Sequence, residues 1–258
     1  MLILITEQHT EKEFFQNKNG GKNMKARKRV ITALDYKSMD EVKNLVTLLG
    51  DEIEYYKAGL EIFLNTGGEV VDYLHSLNKK VFLDLKFHDI NNTTKMACEF
   101  AARKGVFIFN IHASCGMETM SEISKMLKDM NSKSLCIAVT VLTSMTEKKM
   151  QETFMTNASL NDMVMNMADL TNKSGLHGVV CSALEAAQVK EKCGSDFVTV
   201  CPGVRPAWSV SDDQKRIMTP AEAVKNGADY LVIGRPITKA DDPKKAAVRI
   251  LEEIEAVL

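Results

Sequence analysis

Eight short apolar runs, rich in β-branched residues, alternate with longer helical patterns from residue 30 to the end of the chain. Near-continuous apolar strands that alternate with helices are typical of βα units and of a parallel sheet. Eight such units in about 230 residues match the repeat count of a (β/α)8 barrel, or TIM barrel. The alternative is an open doubly wound sheet, but the first strand lacks the Gly-x-Gly-x-x-Gly turn typical of that fold. The predicted strands are Val30–Leu34, Tyr55–Leu60, Val81–Phe87, Val106–His112, Cys136–Leu142, Gly178–Ser182, Phe197–Cys201 and Tyr230–Gly234.

Helix start signals fall where this alternation places helices. In a capping box, the first and fourth side chains satisfy each other's backbone N–H groups at the start of a helix. The stretch from Met145 to Lys173 is too long for one connection, so we predict two helices there. The capping boxes are Ser38-Met-Asp-Glu41, Ser182-Ala-Leu-Glu185 and Thr219-Pro-Ala-Glu222.

Length and composition indicate one globular domain. Of the 258 residues, 45% are apolar and 26% are charged, which is the balance of a soluble folded chain. We assign residues 29–258 to the barrel and expect residues 1–28 to form a polar leader, extended or disordered. A basic binding arm is the alternative interpretation of the short basic run at residues 25–29.

Charge and hydropathy exclude several classes of protein. A formal net charge of −1 lacks the basic excess of a general nucleic-acid surface. No apolar run approaches the ~18–20 residues of a membrane span, and the N-terminus lacks the pattern of a secretory signal. The six cysteines have no metal-binding spacing, so we expect reduced thiols in a cytoplasmic protein.

Charged residues lie at or near the carboxyl ends of five predicted strands, where barrels of this kind carry their active sites. A charge within an apolar strand needs a partner, because burying it alone costs many kcal/mol. Several such charges at one level of a barrel predict a polar cluster. The candidate members are Asp35, Lys57, Asp84, Lys86, Asp89, Arg205 and Arg235.

The third strand carries the most informative pattern. Strand residues alternate between faces, so Phe82, Asp84 and Lys86 share one face. The leucines on the other face are expected to pack against helices. Asp84 and Lys86 then point into the barrel near its top, and Asp89 follows in the loop. An ion pair on an exposed edge strand is disfavoured, since the flanking residues are apolar.

Three segments occur in a set order along the chain. They are Asp84-Leu-Lys86-Phe-His-Asp89-Ile90-Asn-Asn-Thr93, then Arg205-Pro206 leading to Asp213-Gln214-x-Arg216-Ile-Met-Thr219-Pro220, and Ile233-Gly234-Arg235-Pro236. Together they strongly resemble the signature of the orotidine 5′-phosphate decarboxylase family, from about Val30 to the C-terminus. The Asp-x-Lys-x-x-Asp motif alone marks a wider group of barrel enzymes, and Lys57, Gln214 and Arg235 make the resemblance specific. Asn91-Asn92 departs from the proline that many relatives have before the Asn-Thr pair.

The resemblance implies decarboxylation of orotidine 5′-monophosphate to uridine 5′-monophosphate, the last step of de novo pyrimidine nucleotide synthesis, without metal or cofactor. It implies that Lys86 donates the proton within a charge network of Lys57, Asp84 and Asp89. It also implies a homodimer in which Asp89 and Thr93 reach the partner's site. The implied phosphate ligands are Arg205, Gln214, Gly234 and Arg235, and Gln214 can also reach the base. The other implied substrate-binding residues are Asp35 for a ribose hydroxyl, Thr143 or Ser144 for the pyrimidine, and Lys57, Asp84, Asp89, Ile90, Thr93 and Pro202.

The chemistry of this reaction fits those residue types. Loss of carbon dioxide leaves a carbanion at C6 of the pyrimidine, with no adjacent carbonyl to delocalise it. A lysine held ionised by flanking aspartates attracts the developing anion and then donates a proton. Asp84 is expected to face the substrate carboxylate.

The segment from Pro202 to Met218 is long for a βα loop, and long ordered loops are often lids. We predict that Arg205 to Gln214 closes over the ligand. Trp208 is either an anchor of this lid or a plain surface aromatic. His88 is expected to make a structural hydrogen bond.

Two other functions compete with this interpretation. A magnesium-dependent sugar-phosphate aldolase or decarboxylase shares the aspartate–lysine–aspartate motif on the same barrel. Such enzymes usually carry an acidic residue where this chain has Lys57, whose charge repels a divalent cation. The second is a nucleotide-binding or scaffold protein without activity, which is disfavoured because every charged position that the chemistry needs is present.

Overall fold

The computed structural model describes residues 26–209 and 218–258. Within these ranges, eight parallel strands pair in chain order, and β1 pairs with both β2 and β8. The predicted (β/α)8 barrel is confirmed. The open doubly wound sheet is wrong, because the pairing of β1 with β8 closes the ring. The strands are β1 Val30–Ala33, β2 Tyr55–Gly59, β3 Lys80–Phe87, β4 Ile108–His112, β5 Leu135–Val139, β6 Gly178–Val180, β7 Val198–Pro202 and β8 Tyr230–Ile233.

At least one helix follows each strand. The connection after β5 contains the two helices predicted between residues 145 and 173. None of the described helices combines the length and the apolar character needed to cross a membrane. The helices are α1 Met39–Leu49, α2 Leu60–Thr66, α3 Glu69–Ser76, α4 Asn91–Arg103, α5 Gly116–Asp129, α6 Glu147–Phe154, α7 Leu160–Lys173, α8 Ala186–Cys193, α9 Pro220–Lys225, α10 Arg235–Thr238 and α11 Pro243–Glu255.

Two of the three predicted capping boxes are confirmed. At the start of α1, the Ser38 hydroxyl accepts from the Glu41 N–H, and the Glu41 carboxylate accepts from the Ser38 N–H. Thr219 and Glu222 make the same pair of bonds at the start of α9. Pro220 occupies the first turn of α9, where its missing N–H leaves no bond unmade.

The third predicted box is wrong, since α8 begins at Ala186, after Glu185. The Glu185 carboxylate does accept from the Ser182 N–H. The Ser182 hydroxyl, however, accepts from the N–H of Leu184, only two residues ahead. Serine side chains stabilise turns in this way, so the segment forms a turn before the helix starts.

Apolar side chains fill the barrel and the layer between strands and helices. At the amino ends of the strands, the rings of Tyr55, Phe107 and Tyr230 contact one another, with centroids 5.1 to 5.9 Å apart. These rings close the bottom of the barrel. The polar side chains described below lie at the opposite, carboxyl end.

Residues 26–28, which the sequence assigned to the polar leader, form a 3-10 turn against the barrel. Ala26 is buried, and its N–H donates to the Glu255 carboxylate of α11 at 3.2 Å. The turn is followed directly by Arg29, which donates to the carbonyl of Ala228 just before β8. The first strand is therefore tied to the last strand and the last helix.

Candidate active site

A cleft of about 210 Å³ opens at the carboxyl ends of β1, β2, β7 and β8. A larger cleft, of about 340 Å³, lies between Ala26 and α11 and contains none of the predicted site residues. The smaller cleft is lined by Ala33, Asp35, Lys57, Pro202, Gly203, Val204, Arg205, Val232, Gly234, Arg235 and Pro236.

Four side chains from three neighbouring strands and their ends form a row of alternating charge. Lys57 Nζ lies 3.0 Å from Asp35 Oδ1 and 3.5 Å from Asp84 Oδ2. Lys86 Nζ donates to the other oxygen of the same carboxylate, Asp84 Oδ1, at 2.6 Å. The structure thus brings together four of the residues that the sequence placed in one polar cluster.

The middle of this row is shielded from water. The side chains of Lys57 and Asp84 are only 12% and 13% exposed, whereas that of Lys86 is 31% exposed. Burial by itself raises the pKa of Asp84. The charges of Lys57 and Lys86, with hydrogen bonds from Lys86 and Asn110, outweigh burial and hold that pKa below its ordinary value. Asp84 is therefore an anion at neutral pH.

Strand β3 is irregular at Lys86. The residue has φ of +51°, in the left-handed region, and the pairing register with β4 shifts between Leu83 and Phe87. The strict two-residue alternation expected through this segment is therefore not kept. Left-handed backbone at a residue other than glycine is uncommon and clusters at functional sites.

Asn110 of β4 belongs to the site, and sequence reasoning missed it. The side chain is fully buried, accepts from the Lys86 N–H at 2.8 Å and donates to Asp84 Oδ1 at 2.7 Å. The sequence does contain a feature that could have identified it, a single amide side chain in the apolar strand Ile108-Phe-Asn-Ile-His112. By strand alternation this side chain shares the face of Ile108, which points into the barrel.

The structure does not bring Asp89 to the row within one chain. Its carboxylate accepts from the neighbouring Ile90 N–H, and its backbone N–H donates to the Thr94 hydroxyl. Among the described residues, the ion-pair partners of Lys57 and Lys86 are Asp35 and Asp84. Ile90 and Thr93 are exposed beside Asp89, at the start of α4.

The remaining predicted residues lie on loops at the same end of the barrel. Thr143 and Ser144 are exposed in the turn between β5 and α6. Pro202, Arg205, Gly234 and Arg235 line the cleft. Gln214 lies outside the described residues.

The loop after β7 is closed at its base, where the Arg205 N–H donates to the carbonyl of Met218 at 3.2 Å. Trp208 is half-buried on this loop and stacks against Arg249 of α11, with the guanidinium 4.9 Å from the ring centroid. This contact favours the anchoring interpretation of Trp208 over that of a free surface aromatic. The predicted lid, Arg205 to Gln214, lies only partly within the described residues.

Two histidines lie beside the row. His88 Nε2 is 3.4 Å from the Ser114 hydroxyl, the structural contact expected from the sequence. Its ring contacts that of His112 in a tilted arrangement, with the centroids 5.2 Å apart. Burial lowers the pKa of His112, and the neighbouring His88 and Lys86 lower it further. His112 therefore adds no positive charge next to Lys86 at neutral pH.

Across residues 26–209 and 218–258, no group of three or more His, Cys, Asp or Glu side chains is arranged to hold a metal ion. The acidic residues of the row alternate with lysines instead. The Lys57 ammonium lies between the carboxylates of Asp35 and Asp84, so a divalent cation there would meet a like charge.

Known proteins match this chain over most of its length. Residues 28–250 match the model of the orotidine 5′-phosphate decarboxylase / HUMPS family. An orotidine 5′-phosphate decarboxylase of Geotalea daltonii is 46% identical over 234 residues, which cover 90% of this chain and 98% of the relative. One from Streptococcus pneumoniae is 44% identical over 226 residues, covering 87% and 96%.

A solved structure agrees with these sequence matches. The crystal structure of orotidine 5′-phosphate decarboxylase from Lactobacillus acidophilus superimposes with a TM-score of 0.78 at 33% identity, covering 88% of this chain and 99% of that one. From the family match over residues 28–250 and the relatives of similar length, we conclude that the chain belongs to the orotidine 5′-phosphate decarboxylase / HUMPS family.

Proposed function

We propose that the chain converts orotidine 5′-monophosphate to uridine 5′-monophosphate and carbon dioxide in the cleft described above, as the last step of de novo pyrimidine nucleotide synthesis. The observation that carries the proposal is the charged row from Asp35 through Lys57 and Asp84 to Lys86, at the open end of the barrel. Relatives named for this reaction, matched over almost their whole length, support the same substrate.

Lys86 acts as the proton donor. The reaction breaks the bond between C6 and the carboxylate carbon, and the electron pair of that bond stays on C6. The ammonium of Lys86 attracts this charge as it develops and then transfers one proton to C6. The amine left behind takes up a proton from solvent. The 2.6 Å hydrogen bond from Lys86 Nζ to Asp84 holds the ammonium group in position for this transfer.

Asp84 faces the substrate carboxylate. Because Asp84 is held as an anion, it repels the carboxylate of the bound substrate, and this repulsion is relieved as neutral carbon dioxide leaves. Lys57, on the other side of Asp84, neutralises part of the charge of the row and links it to Asp35.

One charge pair cannot supply the whole rate enhancement. A pair about 4 Å apart is worth roughly 4 kcal/mol at an effective dielectric constant of about 20. Enzymatic rate enhancements correspond to ~8–23 kcal/mol. Binding energy from the remote phosphate and ribose must therefore contribute, through orientation and closure of the site.

The loops after β7 and β8 hold the phosphate in this proposal. Arg235 offers a planar fork of N–H donors that suits phosphate oxygens. A Cβ atom on Gly234 would lie 3.4 Å from Ala33 and 3.5 Å from Asp35, so glycine keeps the floor of the cleft open. Arg205 and Gln214 complete the phosphate contacts.

The other end of the nucleotide is assigned to the remaining loops. Asp35, at the end of β1, accepts from a ribose hydroxyl. Thr143 or Ser144, after β5, contacts the pyrimidine, and Pro202 borders the cleft at the end of β7. These are side chains of the hydrogen-bonding types that a nucleoside requires.

The reaction uses no metal or cofactor in this proposal. Lys57 lies within 3.5 Å of both Asp35 and Asp84, so a divalent cation between those carboxylates would meet an ammonium group. The magnesium-dependent aldolase or decarboxylase alternative gains no support from the relatives described above.

We also propose a homodimer in which Asp89 and Thr93 complete the partner's site. Asp89 lies outside the row of its own chain, at the start of α4. Two large apolar side chains near the start of α4 are exposed: Ile90 at 74% and Met96 at 61%. Exposed apolar side chains grouped in this way are typical of a protein–protein contact.

A cytoplasmic location completes the proposal. All six cysteines are free thiols, and four of them are buried. Thiols persist in reducing compartments, whereas secreted proteins tend to pair them.

The function is tested by mixing purified protein with orotidine 5′-monophosphate, with and without a chelator, and following the loss of orotate absorbance. We expect rapid loss that the chelator does not change, with uridine 5′-monophosphate as the product. Absence of turnover would overturn the proposed activity. Turnover abolished by the chelator would contradict the metal-free mechanism.

A further inference from the structure

We propose that Asn110 is a positioning residue, which fixes the direction of the Asp84–Lys86 pair from beneath the site. The proposal rests on the function given above and adds a residue to it. Asn110 is fully buried on β4, so its amide acts through its neighbours and not through solvent.

The amide of Asn110 uses both of its ends. Its oxygen accepts from the Lys86 N–H at 2.8 Å, and its NH2 group donates to Asp84 Oδ1 at 2.7 Å. A backbone N–H can only donate and a carboxylate anion can only accept, so one orientation of the amide satisfies both partners. The amide flipped by 180° would lose both bonds.

The bond to the Lys86 N–H supports the irregular backbone. The ladder between β3 and β4 is interrupted between Leu83 and Phe87, and Lys86 has φ of +51°. The Asn110 side chain takes the place of a strand carbonyl as the acceptor for this N–H. Without it, a half-buried N–H would lose its partner within the chain, and the left-handed conformation would lose its support.

The bond to Asp84 fixes the carboxylate. Oδ1 accepts from Asn110 Nδ2 and from Lys86 Nζ, while Oδ2 faces Lys57. Rotation of the carboxylate would break the bond to Asn110. Asn110 therefore holds the carboxylate in the rotamer in which each oxygen meets a different lysine.

Asparagine is well suited to this double role. Aspartate has the same shape but cannot donate when ionised, and it would place a second anion against Asp84. Leucine has a similar size but neither donates nor accepts. Serine is smaller, but its hydroxyl, together with a water molecule in the space that it frees, can supply a donor to Asp84 and an acceptor for the Lys86 N–H.

The test compares Asn110→Leu, Asn110→Asp and Asn110→Ser with wild-type protein. The kcat and KM for orotidine 5′-monophosphate, the affinity for uridine 5′-monophosphate and the thermal midpoint are measured for each. Ser134→Ala is the matched control, because Ser134 is also a buried polar residue but bonds to the Val106 carbonyl, remote from the row.

We expect kcat to fall by about 100-fold in the leucine and aspartate variants, the scale of a ~1 Å misplacement of a reacting group. Product affinity should stay close to wild type, since the phosphate and ribose contacts remain. The serine variant should recover part of kcat, which a purely structural role does not predict. Ser134→Ala should lose stability and keep kcat.

Wild-type kcat in folded Asn110→Leu would overturn the inference. So would a kcat in the serine variant no higher than in the leucine variant, or an equal loss of kcat in the Ser134→Ala control. If the leucine variant fails to fold, the serine and aspartate variants decide. Inactive wild-type protein would instead overturn the proposed function, so the two failures are distinguishable.

Discussion

Lys86 donates a 2.6 Å hydrogen bond from its ammonium group to Asp84, two residues earlier in the same strand. Alternate residues of a regular strand share a face but lie about 6.6 Å apart along it. The left-handed backbone at Lys86 interrupts that regular extension. The result is an ammonium group paired directly with a carboxylate anion at the carboxyl end of β3.

The stability contributed by Asp84 should depend on pH. Its pKa is lowered in the folded protein from an ordinary value of 3.8. This contribution is fully present above the unfolded pKa and is lost as the pH falls through the lower folded value. We expect the difference in unfolding free energy between wild type and Asp84→Asn to shrink as pH falls below about 4. Urea unfolding between pH 3 and pH 6 measures it, and a difference that grows towards low pH would contradict the ion pairing.

Gly59 leaves room for the ammonium of Lys57. A Cβ atom at Gly59 would lie 2.9 Å from Lys57 Nζ, which is the flexible end of a long side chain. We expect Gly59→Ala to fold but to displace Lys57 from Asp35. Because one charged contact is then lost, kcat/KM should fall by about 10-fold or more. Steady-state kinetics measure the loss of kcat/KM, and the thermal midpoint shows whether the variant is also destabilised.

Gly178→Ala serves as the comparison for Gly59→Ala, because it also adds a Cβ atom to a strand glycine. There the new Cβ would overlap the backbone carbonyl of Val198, which cannot move away as a side chain can. We expect that variant to fail to fold or to be severely destabilised. A Gly59→Ala protein that is as unstable as Gly178→Ala, or as active as wild type, would contradict the account of Lys57.

Removal of the Arg235 guanidinium should weaken substrate binding. A hydrogen-bonded charged contact is worth about 1.5–3 kcal/mol, so we expect Arg235→Ala to raise KM by roughly 10- to 100-fold. Arg103→Ala is the control, because Arg103 is also an exposed arginine but pairs with Glu99 on α4. An unchanged KM in Arg235→Ala would remove Arg235 from the phosphate site.

A mixed dimer tests the role of Asp89 across subunits. Lys86→Ala and Asp89→Asn homodimers should both be inactive. A dimer with one subunit of each kind carries one intact site, so about half of the wild-type activity per dimer is expected to return. Differently tagged chains, co-expressed and purified through both tags, provide this species. Full inactivity of the mixed dimer, or a monomeric protein in sedimentation, would contradict the shared site.

Patterns with strong local causes could be predicted from the sequence. The eight apolar runs gave the closed barrel, and the charges at their ends included Asp35, Lys57, Asp84 and Lys86, which the structure brings into one row. Alternation along a strand sufficed to place Asp84 inside the barrel, because that rule depends only on neighbouring residues.

Features set by contacts between strands were not predictable in this way. The left-handed conformation of Lys86 depends on an acceptor from β4, Asn110, which lies 24 residues away in the sequence. Ser182 and Glu185 have the spacing of a capping box, yet the serine bonds two residues ahead and forms a turn. In both cases a tertiary or competing local hydrogen bond outweighs the local pattern.

The central claim is that Lys86 donates the proton, and the most direct measurement compares turnover with product binding in Lys86→Ala. Lys104→Ala is the control, since it removes a lysine that pairs with Asp72 on the outside of the barrel. We predict that kcat in Lys86→Ala falls by at least about 10²- to 10⁴-fold, the usual contribution of a general acid, while uridine 5′-monophosphate still binds. Turnover equal to that of the Lys104→Ala control would contradict the mechanism.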